Sequence, residues 1–189
     1  MTHSMTRKTA RRIYQLKVTL KGSKPPIWRR ILVPSDIRLD ELHLVLQTAM
    51  GWLNCHLHQF IADNVIYGLA DDDFALDFDV EDEARYRLSD LLRTEKHSLI
   101  YQYDFGDGWE HKVVLEKILP DDRKQPLPIC LKGSRACPPE DCGGIWGYAQ
   151  LLETLKNPAD PEYEDMVEWL GGEFDSEAFD VKSVNWRFG

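Results

Sequence analysis

The stretch IYQLKVTL, residues 13–20, alternates apolar and polar side chains, which is the period-two pattern of a half-buried β-strand. The turn segment KGSKP, residues 21–25, follows it, and IWRRILV, residues 27–33, has the composition of a returning strand. Two strands joined by so short a connection pair in antiparallel orientation. These residues predict a β-hairpin over 13–33 and favour a fold built around an antiparallel sheet.

Beyond the hairpin, the spacing of apolar residues switches between helical and strand periods. Leu39, Leu42 and Leu46 share one face of a predicted helix, which Gly51 ends. The predicted elements that follow the hairpin are a helix near 39–50, strands near 56–68, a short helix near 88–93, strands near 98–119, and helices near 148–156 and 162–170. The sequence thus predicts an α+β fold in which a mostly antiparallel sheet packs against helices.

Three segments carry no regular period. Residues 71–83 are acidic and predict a surface excursion, whereas 121–144 are rich in Pro, Gly and Cys and predict a long ordered loop. The tail, residues 174–189, has four apolar side chains that are predicted to pack back on the sheet: Phe179, Val184, Trp186 and Phe188. Residues 1–12 predict a flexible basic N-terminus, and 13–189 a single domain.

Charge and hydropathy limit the classes of protein. The 189 residues have a net charge of −9, yet the first 38 carry ten Lys or Arg against one acid. No apolar run approaches the roughly 20 residues that cross a bilayer, and the polar N-terminus does not have the pattern of a secretory signal. We therefore expect a cytoplasmic protein without a membrane partner.

Cysteine and histidine residues form the first candidate site. Cys130, Cys137 and Cys142 fall close together in the chain, and His56 and His58 would share one strand face. Thiolate and imidazole are preferred zinc ligands, so these residues predict a possible zinc site. The alternative is that the cysteines are small buried residues and the histidines ordinary polar surface.

A second candidate site is a polar pocket built from two loops. Its predicted members are Asp104, Asp107, Glu110, His111, Glu140 and Asp141. If the loops meet, carboxylates and an imidazole converge, as acid–base chemistry or a divalent cation requires. The alternative is that the aspartates bond to turn amides and that Glu140 or Asp141 caps the following helix.

The basic hairpin is a candidate nucleic-acid surface. Arg29 and Arg30 lie beside Trp28, and arginine next to an aromatic ring can stack on bases. The alternative is that the basic strands complement an acidic body, since the chain as a whole repels phosphate. The sequence contains none of the phosphate-loop, dinucleotide, nucleophile-elbow or H-E-x-x-H motifs.

Several blocks together resemble the plasmid pRiA4b ORF-3-like family. They are YQLKVTL at 14–20, PIWRR at 26–30, residues 42–52, HLHQF at 56–60, YDFGDGWEH at 103–111 and CPPEDCGGIWGY at 137–148. The resemblance implies a compact α+β fold but no established reaction. Some members carry a resolvase label, yet this chain offers no serine set among arginines, and we expect no second domain. We expect a non-enzymatic binding or interaction module of mobile elements and chromosomes, with a protein or nucleic-acid partner. The alternatives are a nucleic-acid-associated factor and a metal-dependent hydrolase.

Overall fold

The computed structural model describes residues 12–69, 80–121 and 126–189. Its strands are β1 Arg12–Leu20, β2 Trp28–Pro34, β3 His58–Ala62, β4 Val65–Gly68, β5 Val80–Asp82, β6 Ser98–Tyr103, β7 Trp109–Pro120 and β8 Ile129–Ser134. Its α-helices are α1 Leu39–Met50, α2 Leu88–Leu91, α3 Gly144–Leu155, α4 Tyr163–Leu170 and α5 Val181–Phe188. The strands form one sheet in the order β5-β4-β3-β6-β7-β1-β2-β8. All neighbours are antiparallel except β4 and β5, so the predicted α+β class is confirmed.

The first hairpin organises the centre of the sheet, as predicted. Strand β1 pairs with β2 on one side and with the long strand β7 on the other. Its residues Leu16, Val18 and Leu20 are buried, and the residues between them are half-buried. Helix α1 buries Leu39, Leu42 and Leu46 in the same core, and left-handed Gly51 ends it as the sequence predicts.

The predicted loop over 121–144 is wrong in part, because residues 129–134 form the edge strand β8 against β2. Helix α3 also begins at Gly144, four residues before the predicted start. The tail contains helix α5, whose N-terminal amides bond to the Asp180 carboxylate. Val184 is buried there as predicted, but Trp186 is 83% exposed, so its predicted packing on the sheet is wrong.

Two predicted segments lie largely outside the described residues. Of the basic N-terminus, only Arg12 is described, and it belongs to β1 rather than to a flexible segment. Of the acidic excursion, only residues 80–83 are described: they form β5 and the start of a 3₁₀ turn, and Glu83 is buried. None of the helices in the described ranges is long and apolar enough to cross a membrane.

Candidate metal centre

Three loops meet beside the ends of β3 and β6 and bring one histidine and three carboxylates together. The His56 Nε2 atom lies 3.1 Å from Asp141 Oδ1, 3.7 Å from Asp104 Oδ2 and 3.9 Å from Glu140 Oε2. We call these four residues the His56 cluster. In the described part of the chain, His56, Asp104 and Asp141 are the one group of three such residues whose ligand atoms lie within 4.8 Å of one another.

Asp104 is oriented by the turn that follows β6. Its backbone is left-handed, with φ of 56°, and its Oδ1 atom accepts hydrogen bonds from the amides of Gly106 and Asp107. These are the turn bonds that the sequence predicts. They turn the second oxygen, Oδ2, towards His56, so the same carboxylate serves the turn and the cluster.

Glu140 is held by one of its two oxygens. Oε1 accepts hydrogen bonds from the Leu53 amide at 2.7 Å and from the Tyr103 hydroxyl at 3.0 Å. Burial raises the pKa of Tyr103, so this hydroxyl stays protonated and remains a donor. Oε2 is buried and has no hydrogen-bond partner among the described residues. Glu140 therefore joins the loop of Leu53 to the cluster and does not cap α3.

The turn after β6 and the loop before α3 are held together by close backbone contact. The Asp107 carboxylate accepts a hydrogen bond from the Gly143 amide at 3.1 Å. A Cβ atom on Gly144 would lie 2.4 Å from the Asp107 carbonyl oxygen, and one on Gly147 would lie 1.9 Å from that of Cys142. Only glycine permits these approaches, which explains the spacing of glycines at the start of α3.

The loop that carries His56 is anchored in the core by Asn54. The Asn54 side-chain oxygen Oδ1 lies 2.7 Å from His43 Nε2, and the Asn54 backbone amide donates to Gln47 Oε1 at 2.9 Å. Burial lowers the pKa of His43 to about 4, so the ring is neutral and donates through Nε2. Its Nδ1 then accepts from the Tyr101 hydroxyl at 2.8 Å. The position of His56 is thus set by a buried polar network.

The His56 Nε2 atom is surrounded by carboxylates at 3.1 to 3.9 Å. Nε2 is buried and makes no hydrogen bond within the residues that the structure describes. The side chain of Asp141, by contrast, is 69% exposed, so one side of the cluster opens to solvent. Three carboxylates around one imidazole concentrate negative charge, most of which a divalent cation would offset.

The cysteines are not gathered into a site. Cys130, Cys137 and Cys142 are free, and they form no group of three ligands within the described ranges. Burial raises the pKa of each thiol, to about 12 for Cys142. This geometry is that of core-packing thiols, and the predicted combination with His56 and His58 is not found.

The two predicted strand histidines have separate environments. Strand β3 begins only at His58, so His56 lies in the preceding loop and the predicted shared strand face is wrong. The His58 ring stacks on His43 with centroids 3.4 Å apart, and its Nε2 lies 3.0 Å from a carboxylate oxygen of buried Glu83. His58 is therefore part of the core.

Two members of the predicted polar pocket lie elsewhere. Glu110 points to the exposed side of β7 and forms an ion pair with Lys21. His111 is fully buried beside Tyr101, and burial lowers its pKa to about 4. The pocket therefore keeps Asp104, Glu140 and Asp141, with Asp107 bracing it from the adjacent turn.

The two arginines of the predicted nucleic-acid surface have different roles. Arg29 is only 2% exposed and donates hydrogen bonds to the carbonyl oxygens of Ala49 and Ser134 at 2.9 Å. Arg29 joins α1 and β8 to the sheet, so the prediction that it contacts nucleic acid is wrong. Arg30 faces outward, where it pairs with both oxygens of Glu116 at 2.6 and 2.8 Å.

The sheet and the His56 cluster together define an α+β protein with a candidate mononuclear metal centre. The chain belongs to the plasmid pRiA4b ORF-3-like protein family, whose sequence profile matches residues 12–183. It is 40% identical over 174 residues to the uncharacterized protein y4hQ of Sinorhizobium fredii, which covers 92% of this chain and 89% of that protein. The crystal structure of MM3350 from Methanosarcina mazei Go1, a protein of unknown function, is similar with a TM-score of 0.82 and 42% identity. That likeness covers 92% of this chain and 98% of the other.

Proposed function

We propose that this protein is a metal-dependent binding module that holds one divalent transition-metal ion in the His56 cluster. The observation that carries the proposal is a pair of buried atoms, His56 Nε2 and Glu140 Oε2, which lie 3.9 Å apart and make no hydrogen bond among the described residues. A buried polar atom without a partner costs about 1–3 kcal/mol. An ion between these atoms would satisfy both.

The distances suit coordination after a small contraction. Two ligand atoms that each lie about 2.1 Å from an ion are about 3.0–3.4 Å apart. The contact of His56 with Asp141 already has this length, at 3.1 Å, and those with Asp104 and Glu140 are longer, at 3.7 and 3.9 Å. The ligand atoms of His56, Asp104 and Asp141 lie within 4.8 Å of one another, and their side chains would have to move closer to surround an ion. Glu140 lies outside that group of three and would have to move further to reach the ion.

The donor set selects the class of metal. Imidazole with carboxylates suits zinc, manganese or iron, whereas calcium and magnesium prefer oxygen ligands alone. Zinc, which the sequence indicates as a possible metal, therefore stays in the proposal, but with oxygen and nitrogen ligands in place of thiolates. Four free cysteines are typical of a reducing compartment, which supports a cytoplasmic location.

A bound ion would organise a surface for a partner. His56, Asp104 and Asp141 come from three separate loops, so the ion would tie together segments that have little regular structure of their own. Asp141 leaves the ion open to solvent on one side, where a partner protein or nucleic acid could supply a further ligand. The proposed activity is recognition of that partner.

The same open side supports metal-dependent hydrolysis as a second candidate function. Water on an open coordination position becomes acidic enough to act as a nucleophile near neutral pH. Screening of ester and phosphoester substrates with the zinc and manganese forms would test this candidate. Turnover that disappears in Asp104→Asn would favour the enzyme, and metal binding without any turnover would favour the module.

The test of metal binding uses protein purified without an affinity tag. We expect zinc or manganese to raise the melting temperature of EDTA-treated protein, and elemental analysis to give about one ion per chain. His56→Ala and Asp104→Asn should abolish both effects. His97→Ala is the matched control, because His97 is exposed and does not belong to the His56 cluster.

The cysteine alternative is tested in the same series. Cys130→Ser together with Cys142→Ser should leave the metal content unchanged, since neither thiol belongs to the His56 cluster. Metal that is lost with the cysteines and retained in His56→Ala would contradict the proposal. Protein that takes up no metal at all would contradict it as well.

A further inference from the structure

A second candidate site lies between helices α3 and α4. The two helices enclose a cleft of about 260 Å³ whose lining includes Leu151, Thr154, Met166 and Trp169. Leu151 and Thr154 are buried and form its inner side. Helix α4 is amphipathic, yet none of its eight residues is buried against the described part of the chain. Met166 and Leu170 of this helix pack partly against the core, whereas Trp169 remains exposed where the helix lines the cleft.

The lining combines an aromatic ring with negative charge. The Trp169 side chain is 49% exposed, which leaves part of its indole available to a ligand. Among the described residues, the charged side chains that line the cleft are Asp141 and Glu162, and both are acids. An adjoining hollow shares Glu162 and adds Glu153 and Asp160. Glu153 is paired with Lys156, so the charge that favours a cation is that of Asp141 and Glu162 in the cleft and of Asp160 beside it.

We propose that this cleft binds a small organic cation, an ammonium group carried on an apolar body. The ammonium group would lie against the face of Trp169 and within the field of Glu162, since cations are attracted to indole rings. The apolar body would contact Leu151 and Met166. A neutral ligand of the same shape would keep the apolar contacts but lose both electrostatic attractions, and an anion would be repelled.

This proposal does not rest on the metal centre. Asp141 is shared by the cleft and the His56 cluster, but Trp169 and Glu162 belong to the cleft alone. Binding can therefore be measured in both the presence and the absence of EDTA. Protein that binds the organic cation but no metal would contradict only the metal-centre proposal. Protein that binds metal but not the organic cation would contradict only the cleft proposal.

The test compares three probes of one shape by isothermal titration calorimetry at low salt. They are 2-phenylethylammonium, the neutral 2-phenylethanol and the anionic phenylacetate. We expect saturable binding of the ammonium probe, with the alcohol at least fivefold weaker and phenylacetate weaker still. Equal binding of the cation and the alcohol, or no binding of the cation up to millimolar concentration, would overturn the proposal.

Variants locate the binding in the cleft. Trp169→Ala and Glu162→Gln should each weaken binding of the ammonium probe roughly fivefold. The matched controls are Trp146→Ala and Glu164→Gln, because both side chains are exposed and neither lines the cleft. Trp169→Phe retains an aromatic face and should lose less affinity than Trp169→Ala. Equal affinity in all of these variants would overturn the assignment, and circular dichroism checks that helix α4 is still formed.

Discussion

Replacement of Glu140 by glutamine distinguishes a metal ligand from an ordinary structural carboxylate, because the two roles predict opposite changes in stability. Glutamine has the same shape, so its carbonyl oxygen can still accept from the Leu53 amide and the Tyr103 hydroxyl. The change falls on the other oxygen, Oε2, which is buried and unpaired within the described residues. An uncharged amide donor takes its place beside the remaining carboxylates.

The magnitude depends on whether metal is present. In EDTA, the variant no longer buries a carboxylate oxygen that makes no hydrogen bond within the described residues, which costs about 1–3 kcal/mol, so we expect the free energy of unfolding to rise by about 1 kcal/mol. With zinc, the variant lacks one charged ligand. We expect at least a tenfold loss of affinity, which reduces the stabilisation by excess zinc by about 1.4 kcal/mol.

The assay is urea unfolding, followed by circular dichroism in EDTA and in excess zinc. Glu110→Gln is the control: it breaks only the exposed ion pair with Lys21, so both of its free energies should change by less than about 1 kcal/mol. If Glu140 instead stabilises the fold by pairing with a charged His56, Glu140→Gln lowers stability in EDTA and leaves zinc affinity unchanged. That result would refute the reasoning.

Three other predictions concern the residues that hold the site and the core. Gly144→Ala should lower the free energy of unfolding by about 2 kcal/mol or more, since the new Cβ would meet the facing loop. Gly171→Ala, at a similar φ but with no described atom within 4 Å, should lose less in the same urea titration. Arg29→Ala should cost about 3 kcal/mol or more, because buried carbonyl oxygens lose a charged donor, whereas Arg30→Ala should cost under about 1 kcal/mol. Burial lowers the pKa of His111 from 6.5 to about 4. Between pH 6.5 and pH 4, His111 therefore binds a proton in the unfolded chain but not in the folded protein. Stability measured by urea unfolding should therefore fall as the pH drops from 6.5 to 4, by up to about 3 kcal/mol from this residue, and a flat profile would contradict the assignment.

The central sheet could be predicted because its strands carry their own pattern. Leu16, Val18 and Leu20 alternate with polar residues, and their burial in the structure follows that alternation. Edge strand β8 has no such pattern. Only Cys130 among its residues is buried, while Leu131 is exposed, so the sequence there resembles a loop. Its position depends on pairing with β2, which no local signal reveals.

The residues of the candidate site could be chosen from the sequence, but their grouping could not. The sequence predicts His56 in a cysteine site and Asp104 in a polar pocket, since nothing local shows that their loops meet. The glycines at 143, 144 and 147 indicate a close backbone approach but not its partner. Asn54 belongs to no motif that marks it as part of the site. Asparagine tolerates the left-handed conformation that it adopts there, and this preference was the available signal.

The separation of the three loops along the chain has a consequence for folding. His56, Asp104 and Asp141 lie far apart in sequence, so an ion shared by them would act as a reversible cross-link that closes two long loops of chain. Closing such loops restricts the unfolded ensemble in the way that a disulfide does. The stability of the folded chain would then depend on the supply of metal. A chelator would destabilise this protein as a reductant destabilises a disulfide-bonded one.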